Sequence, residues 1–96
     1  MAKYKVSRGF GSDIAEVTTK KDKFFVNEHG PFAIEEIPDS GINLSLVNIL
    51  DQSGKVIFTI RKIGSAYCYS DGYIEIEYKN KFKACGEALW NKGGLS

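Results

Sequence analysis

The sequence predicts a mainly β fold, namely a small antiparallel sandwich or barrel of about seven to eight short strands with one short C-terminal helix. Three observations lead to this class. Apolar residues alternate with polar ones along much of the chain, and alternation at period two places them on one face of a strand. Turn-forming residues recur at intervals of roughly 8 to 12 residues. The chain also lacks the long crossover helices that parallel strands need.

Length and composition fit a single β domain that spans residues 1–96. The chain is 43% apolar and 26% charged, which is close to the composition of folded globular proteins. No apolar run approaches the roughly 20 residues of a membrane-spanning helix, and Met1–Val6 lacks the apolar core of a secretory signal. We therefore expect no membrane partner and a cytoplasmic location.

The most regular stretch is a predicted hairpin that runs from Ile42 to Ile63. Two apolar runs are joined there by Asp51-Gln52-Ser53-Gly54, a connection rich in turn formers. In the first run the apolar positions change parity between Leu46 and Val47, which predicts either burial of both strand faces or a β-bulge. If one face is uncovered instead, Val47 and Ile49 are expected to form a binding surface.

Shorter strands are predicted on either side of this hairpin. For residues 13–19 a short helix is the alternative, but a run of β-branched residues disfavours it. A turn is predicted at Glu28–Pro31, and the broken alternation at Glu36-Ile37 predicts a bulge or a strand end. In chain order, the predicted flanking strands are Lys3–Ser7, Asp13–Thr19, Phe24–Asn27, Phe32–Ile37, Ala66–Ser70 and Tyr73–Lys79.

The carboxyl-terminal segment is predicted to continue the sheet before it becomes helical. Phe82–Cys85 alternates like a further strand. Helical character is confined to Glu87–Lys92, and Gly93-Gly94 follows where a left-handed cap would lie. A helix of one or two turns is not stable alone, so we expect it to dock through Leu89 and Trp90.

Cysteine and histidine content predicts neither a metal site nor a cofactor. Cys68 and Cys85 lie far apart in sequence, and His29 is the only histidine, so no metal-ligand spacing is present. A disulfide would require the two cysteines to lie on neighbouring strands. Reduced, partly buried thiols are the preferred prediction for an intracellular protein.

Charge is unevenly distributed, although the net charge is only +1. Lys and Arg are absent from Phe24 to Gly54, where the charges are acidic, and the basic residues lie in the flanking segments. We expect cross-strand pairs of opposite charge to cancel this split. Two surfaces of opposite charge, available to a partner, are the alternative.

One short pattern indicates a possible enzyme. Glu77-Tyr78-Lys79 places an acid and a lysine on the same strand face, and Asp39 offers a second carboxylate. The pattern resembles that of the PD-(D/E)xK nucleases, and the resemblance implies a Mg²⁺ ion held by two carboxylates, with the lysine stabilising charge. That family flanks its sheet with helices, which this sequence does not predict. A solvated cross-strand pair is the alternative for Glu77 and Lys79.

A second class of function is the binding of single-stranded nucleic acid. Small barrels bind single strands through aromatic side chains surrounded by lysines. Glu75 and Glu77 share the outer face of their strand and would repel phosphate. The candidate binding residues are Tyr67, Tyr69, Tyr73, Lys79, Lys81, Lys83 and Trp90.

The function that we predict from the sequence is a non-catalytic binding or assembly module with a protein partner, a second copy included. An exposed strand edge such as Phe24–Val26 would be available for pairing. The alternatives are single-stranded nucleic-acid binding and, third, the Mg²⁺-dependent nuclease. The strand–turn–strand unit Asn48–Lys62 is similar to those of LURP-one (tubby-like) β barrels, through a turn that many folds share.

Overall fold

The strands form one curled, antiparallel sheet. The computed structural model describes residues 2–8, 13–38, 43–70, 75–93 and 95. In these residues, eight strands follow one another in the sheet, so that every strand pairs with its neighbours in sequence. The sheet curls into a half-barrel. The elements are β1 (Lys3–Arg8), β2 (Asp13–Lys20), β3 (Lys23–Val26), β4 (His29–Pro38), β5 (Leu44–Leu50), β6 (Val56–Ile63), β7 (Ala66–Ser70), β8 (Glu75–Tyr78) and α1 (Lys81–Lys92).

The predicted mainly β class with a C-terminal helix is therefore confirmed. Of the two predicted architectures, the single curled sheet corresponds to a partial barrel and not to two stacked sheets. Residues 13–19 form a strand, as preferred over the helix, with Ala15 and Val17 buried on its inner face. The inner face of the sheet carries most of the core, including Val6, Ala15, Val17, Phe24, Val26, Phe32, Val47, Ile49 and Ile60.

Helix α1 lies inside the curl of the sheet. All seven residues from Ala84 to Trp90 are buried. Seven residues cover about two turns and point in every direction, whereas a helix docked on a surface buries only one stripe. The helix contacts β1, β2, β3, β6, β7 and β8. The sheet therefore wraps around the helix, which is the centre of the core. No helix in the described part of the chain is long and apolar enough to cross a membrane.

The helix begins at Lys81, so the predicted strand at Phe82–Cys85 is wrong. Asn80 is the N-cap, and its side-chain oxygen accepts hydrogen bonds from the backbone N–H groups of Phe82 (2.9 Å) and Lys83 (3.1 Å). This cap satisfies donors that the first helical turn leaves free. The helix ends at Gly93, whose φ of −82° is right-handed. Gly93 therefore does not form the left-handed cap predicted at Gly93-Gly94, and Gly94 lies outside the described residues.

Removal of the cap is expected to destabilise the protein. Asn80→Ala should lower the free energy of unfolding by about 1 kcal/mol, and the variant also loses the hydrogen bond from the Asn80 amide to the Tyr4 hydroxyl (2.8 Å). Urea unfolding measures the change. Asn80→Asp is the control, since it keeps an acceptor for the helix N–H groups and should lose less. Equal losses in both variants would contradict the capping role.

The central hairpin forms around the predicted turn. The Asp51 carboxylate accepts hydrogen bonds from the backbone N–H groups of Ser53 (2.9 Å) and Lys55 (3.0 Å). Hydrogen bonds from the Ser53 hydroxyl and from these N–H groups lower the pKa of Asp51. Gly54 has a φ of +85°, a conformation that glycine adopts without steric cost. Local side-chain chemistry thus explains this turn.

The parity change at Leu46-Val47 has neither of the predicted causes. The pairing of β5 with β6 is regular from Leu44 to Ile49, and its only register shift falls at Ile49/Leu50, beside the turn. Val47 and Ile49 are fully buried on the inner face, whereas Leu46 is 43% exposed on the outer face. The strand is thus not buried on both faces. The prediction that Val47 and Ile49 form a binding surface is wrong.

Strand β4 is longer at both ends than predicted. It pairs with β5 without a break through Glu36, Ile37 and Pro38, so the predicted bulge or strand end at Glu36-Ile37 is wrong. At its start, the turn is confined to Asn27-Glu28, and β4 includes the rest of the predicted turn. The long β4 places Ile37 opposite Leu46, a pair that is important for the outer surface.

Candidate interaction surface

The predicted aromatic binding residues lie mainly in the core. Tyr67 and Tyr69 are buried on the inner face of β7, and Trp90 is buried on α1. Tyr73 lies outside the described residues. The three buried rings pack against other core residues, so they do not present a surface on which bases could stack.

Trp90 connects the end of α1 to strands β1 and β2. Its indole N–H donates a hydrogen bond to the Asp13 carbonyl (3.0 Å). The Arg8 guanidinium lies 4.0 Å from the centre of the indole ring, and it also donates to the Trp90 carbonyl (2.8 Å). Arg8 forms an ion pair with Asp13 at 2.8 Å. These contacts indicate a structural role for Trp90.

The predicted lysines lie around the start of the helix. Lys79 is exposed, whereas Lys81 and Lys83 are half-buried in the first turn of α1. The Lys83 ammonium is 4.8 Å from the centre of the Tyr78 ring, and the Lys81 ammonium is 5.3 Å from that of Phe82. Tyr67 and Tyr69, which were predicted to act with these lysines, face inward. A binding role for the three lysines stays a prediction.

The residues of the nuclease pattern do not assemble a metal site in the described structure. Glu77 and Lys79 are exposed, and Asp39 lies outside the described residues. Among the described residues, no three His, Cys, Asp or Glu side chains are grouped as metal ligands. Glu77 lies opposite Cys68 across the β7–β8 pair, so its strand neighbour there is a thiol and not a carboxylate.

The two cysteines are free, buried thiols. Cys68 lies on β7 and Cys85 on α1, so they are not on neighbouring strands. Burial raises the pKa of the Cys85 thiol to about 12. Burial also raises the pKa of Cys68, and the nearby Glu77 and Glu75 carboxylates add to this effect. Thiolate is the reactive form, so both residues are suited to packing and not to nucleophilic chemistry.

A buried acid and a tyrosine connect β8 to the helix. Glu87 is buried on α1 and accepts a hydrogen bond from the Tyr78 hydroxyl. Burial, followed by this hydrogen bond, raises the pKa of Tyr78. The tyrosine therefore stays protonated and able to donate. Sequence analysis did not identify this pair, because its partners meet only when the sheet curls around the helix.

Cross-strand pairing cancels the uneven charge only in part. Three ion pairs join described residues. Only Lys62–Glu36, at 3.2 Å, connects a basic flank to the acidic middle segment. The Glu36 carboxylate also accepts a hydrogen bond from the Tyr67 hydroxyl (3.2 Å), and the bond to Glu36 raises the pKa of Lys62. The other two ion pairs lie within the flanks. No ion pair among the described residues therefore balances the charge of the amino-terminal lysines.

An apolar patch lies on the outer face of β4, β5 and β6. We define the apolar patch as Ile37, Leu44, Leu46 and Ile63. Ile37 lies directly opposite Leu46, and Leu44 lies directly opposite Ile63. Side chains opposed in this way are about 5 Å apart at Cβ. Ile37, Leu46 and Ile63 are 44%, 43% and 47% exposed, and Leu44 is half-buried.

A recess opens beside the apolar patch. In the described residues, β7 pairs with β6 only from Arg61 to Ile63, and the two strands separate beyond this point. The recess between them has a volume of about 420 Å³ and is lined by Leu46, Phe58, Ile60, Arg61, Cys68 and Tyr69, among others. Leu46 thus belongs to both the patch and the recess. Together they form a continuous apolar surface with a concave part.

Polar side chains border this surface on one side. The Thr59 hydroxyl donates to the Asn48 side-chain oxygen (2.8 Å), and the Asn48 amide donates to Glu35 (3.4 Å). Arg61 pairs with Glu75 at the mouth of the recess. An apolar centre with a polar rim is the usual anatomy of a protein interface.

Sequence reasoning missed the apolar patch because it left open which face of the strand Leu44 and Leu46 occupy. A signal was present in the turn. A four-residue connection at 51–54 predicts that Val47 lies opposite Phe58, on the strand face that Ile60 shares. This register places Val47 on the same face as the apolar Phe58 and Ile60, which favours the inner face. Leu46 then lies on the outer face. Comparisons of the chain with protein-family models, curated proteins and solved structures gave no match.

Proposed function

We propose that the protein is a non-catalytic assembly module that binds a second copy of itself through the apolar patch. The observation that carries the proposal is the adjacency of three aliphatic side chains that are each more than two-fifths exposed. Single exposed apolar residues are common on protein surfaces. A contiguous group with a polar rim is typical of an interaction site.

The shape of the surface supports a two-fold arrangement. In a symmetric dimer the same patch meets itself, so it must offer both projecting and receiving parts. Ile37 and Ile63 project from the patch, and the recess beside Leu46 is large enough to receive an aliphatic side chain. Each such contact would form twice in the dimer.

Electrostatics also favours a second copy. The net charge is +1, so two copies repel each other little at long range. The rim carries both signs of charge, with Arg61 close to Glu75 and with Glu35 hydrogen-bonded to Asn48. A rim of mixed charge can be complementary to itself under two-fold symmetry.

A charge in the centre of the patch is expected to abolish self-association. Leu46→Asp should weaken the dimer at least about 30-fold, equivalent to about 2 kcal/mol, since a central aliphatic contact is replaced by a buried carboxylate. Sedimentation velocity over a wide range of protein concentrations measures the change in the dissociation constant.

Ile14→Asp is the matched control. Ile14 is 57% exposed on the outer face of β2. It is not part of the apolar patch, which lies on β4, β5 and β6. This variant should dimerise like the wild type. A wild-type protein that stays monomeric at the highest concentration would contradict the proposal. Equal weakening of the dimer by Leu46→Asp and Ile14→Asp would also contradict it.

A further inference from the structure

A basic pocket lies at the turn between β2 and β3, away from the apolar patch. It has a volume of about 260 Å³, and its lining consists of Lys20, Lys21, Asp22, Lys23, Phe25 and Pro31. The four residues of the turn are exposed, whereas Phe25 and Pro31 are half-buried. We call this group the basic pocket. It combines a charged rim with an apolar floor made of two rings.

The lysines of the basic pocket lie close together, and Asp22 balances only part of their charge. Lys20 and Lys23 lie directly opposite each other across the β2–β3 pair, and like charges in this position repel. None of the ion pairs formed by described residues includes a lysine of the pocket. Three lysines and Asp22 leave a local net charge of +2. This local excess of positive charge favours the binding of an anion.

Phe25, in the floor of the basic pocket, packs closely against Gly30. A Cβ atom on Gly30 would lie 2.8 Å from the Phe25 ring, and the φ of Gly30 is +136°. Glycine therefore lets the backbone approach the ring closely, and this contact restrains its orientation. A flat ring on the ligand could stack on Phe25.

We infer that the basic pocket binds a phosphate group attached to a flat ring, as in a nucleotide unit. A phosphate dianion matches the local charge, and lysines act on phosphate as point charges. A carboxylate carries half of that charge and is typically held by the fork of an arginine, which the pocket lacks. The unit is a free nucleotide, or part of a single strand in which two neighbouring phosphodiesters, with one charge each, supply the same total charge. The residues of the basic pocket are different from the tyrosines and lysines predicted from the sequence to bind nucleic acid.

Titration of the full chain with adenosine monophosphate, monitored by NMR chemical shifts at low salt, tests the inference. The nucleotide should shift the amide signals of the β2–β3 turn, and adenosine or inorganic phosphate alone should bind at least tenfold more weakly. A short oligothymidylate probes the other source of the ligand. Binding of this strand tighter than that of the mononucleotide, with strong salt dependence, would assign the site to single strands. No shift with any of these probes overturns the inference.

Three variants make the test specific. Lys20→Gln/Lys23→Gln should weaken nucleotide binding at least tenfold, and Phe25→Leu should remove the preference for the nucleotide over inorganic phosphate. The control Lys55→Gln/Lys92→Gln carries the same change in net charge and should bind as the wild type does. Equal weakening in the control would show diffuse attraction and overturn the inference.

Stability measurements separate a lost site from a lost fold. Lys20→Gln/Lys23→Gln relieves a like-charge pair, so its melting temperature should equal or exceed that of the wild type. Adenosine monophosphate should raise the melting temperature of the wild type by mass action but not that of the double variant. Leu46→Asp should keep nucleotide binding intact, because the apolar patch and the basic pocket share no residue.

Discussion

Gly86→Ala is expected to destabilise the protein by about 2 kcal/mol, the typical cost of an overpacked core. The same change in an exposed helix stabilises by about 1 kcal/mol, so the expected sign is reversed. A Cβ atom on Gly86 would lie 2.3 Å from a methyl carbon of Val17. Val17 is fully buried on β2, and its β-branched side chain has few rotamers with which to move away.

Urea unfolding and thermal melting measure this effect. For a domain of this size, a loss of about 2 kcal/mol corresponds to a fall in melting temperature of roughly 8 to 16 °C. The control is the double variant Val17→Ala/Gly86→Ala, in which the obstructing methyl groups are removed. The second substitution should then cost little or even stabilise, so the two effects should not be additive. An increase in stability for Gly86→Ala alone would contradict the close packing of α1 on β2.

Trp90→Ala is expected to cost about 4 kcal/mol of stability, as is typical when a large buried aromatic side chain is removed. The total free energy of unfolding of a domain is about 5–15 kcal/mol, so a large fraction of the Trp90→Ala molecules would be unfolded at moderate temperature. The variant loses the packing of the indole in the core and its hydrogen bond to the Asp13 carbonyl. It also removes the ring that the Arg8 guanidinium covers.

Two observations make this expectation specific. Trp90→Phe keeps a buried ring and loses the N–H donor, so its cost should be smaller than that of the alanine variant. Trp90 is the only tryptophan, and its fluorescence should resist quenching by iodide in the native protein and become accessible on unfolding. A stable Trp90→Ala protein that fails to bind a partner would instead support the binding role predicted from sequence.

The most accurate sequence predictions were those that depend on local chemistry. The Asp51–Gly54 turn, the strand at residues 13–19 and the alternation of Glu75 to Tyr78 all appear in the structure. Turn residues act through their own side chains and backbone angles, and alternation over a strand depends only on neighbouring residues. Both signals are therefore complete in a short window of sequence.

The helix shows where a local signal is insufficient. Phe82–Cys85 alternates over four residues, and this is too short to distinguish a strand from the start of a helix. Its structure depends on the cap at Asn80 and on burial inside the sheet. Gly86 is unfavourable within a helix in isolation, but here it permits the close approach to Val17. The packing partner lies far away in the sequence, so the local pattern could not reveal this role.

The candidate surfaces also show the difference between features that depend on local sequence and features that depend on tertiary contacts. Sequence reasoning correctly predicted the β class, the Asp51–Gly54 turn and the presence of a C-terminal helix, because these follow from local backbone preferences and side-chain periodicity. Three further features depend on the folded structure: Tyr67, Tyr69 and Trp90 are buried, Leu46 is exposed, and Lys20 lies opposite Lys23. Burial and cross-strand neighbours depend on register and on the curl of the sheet around α1. Both arise from contacts between residues that are distant in the chain.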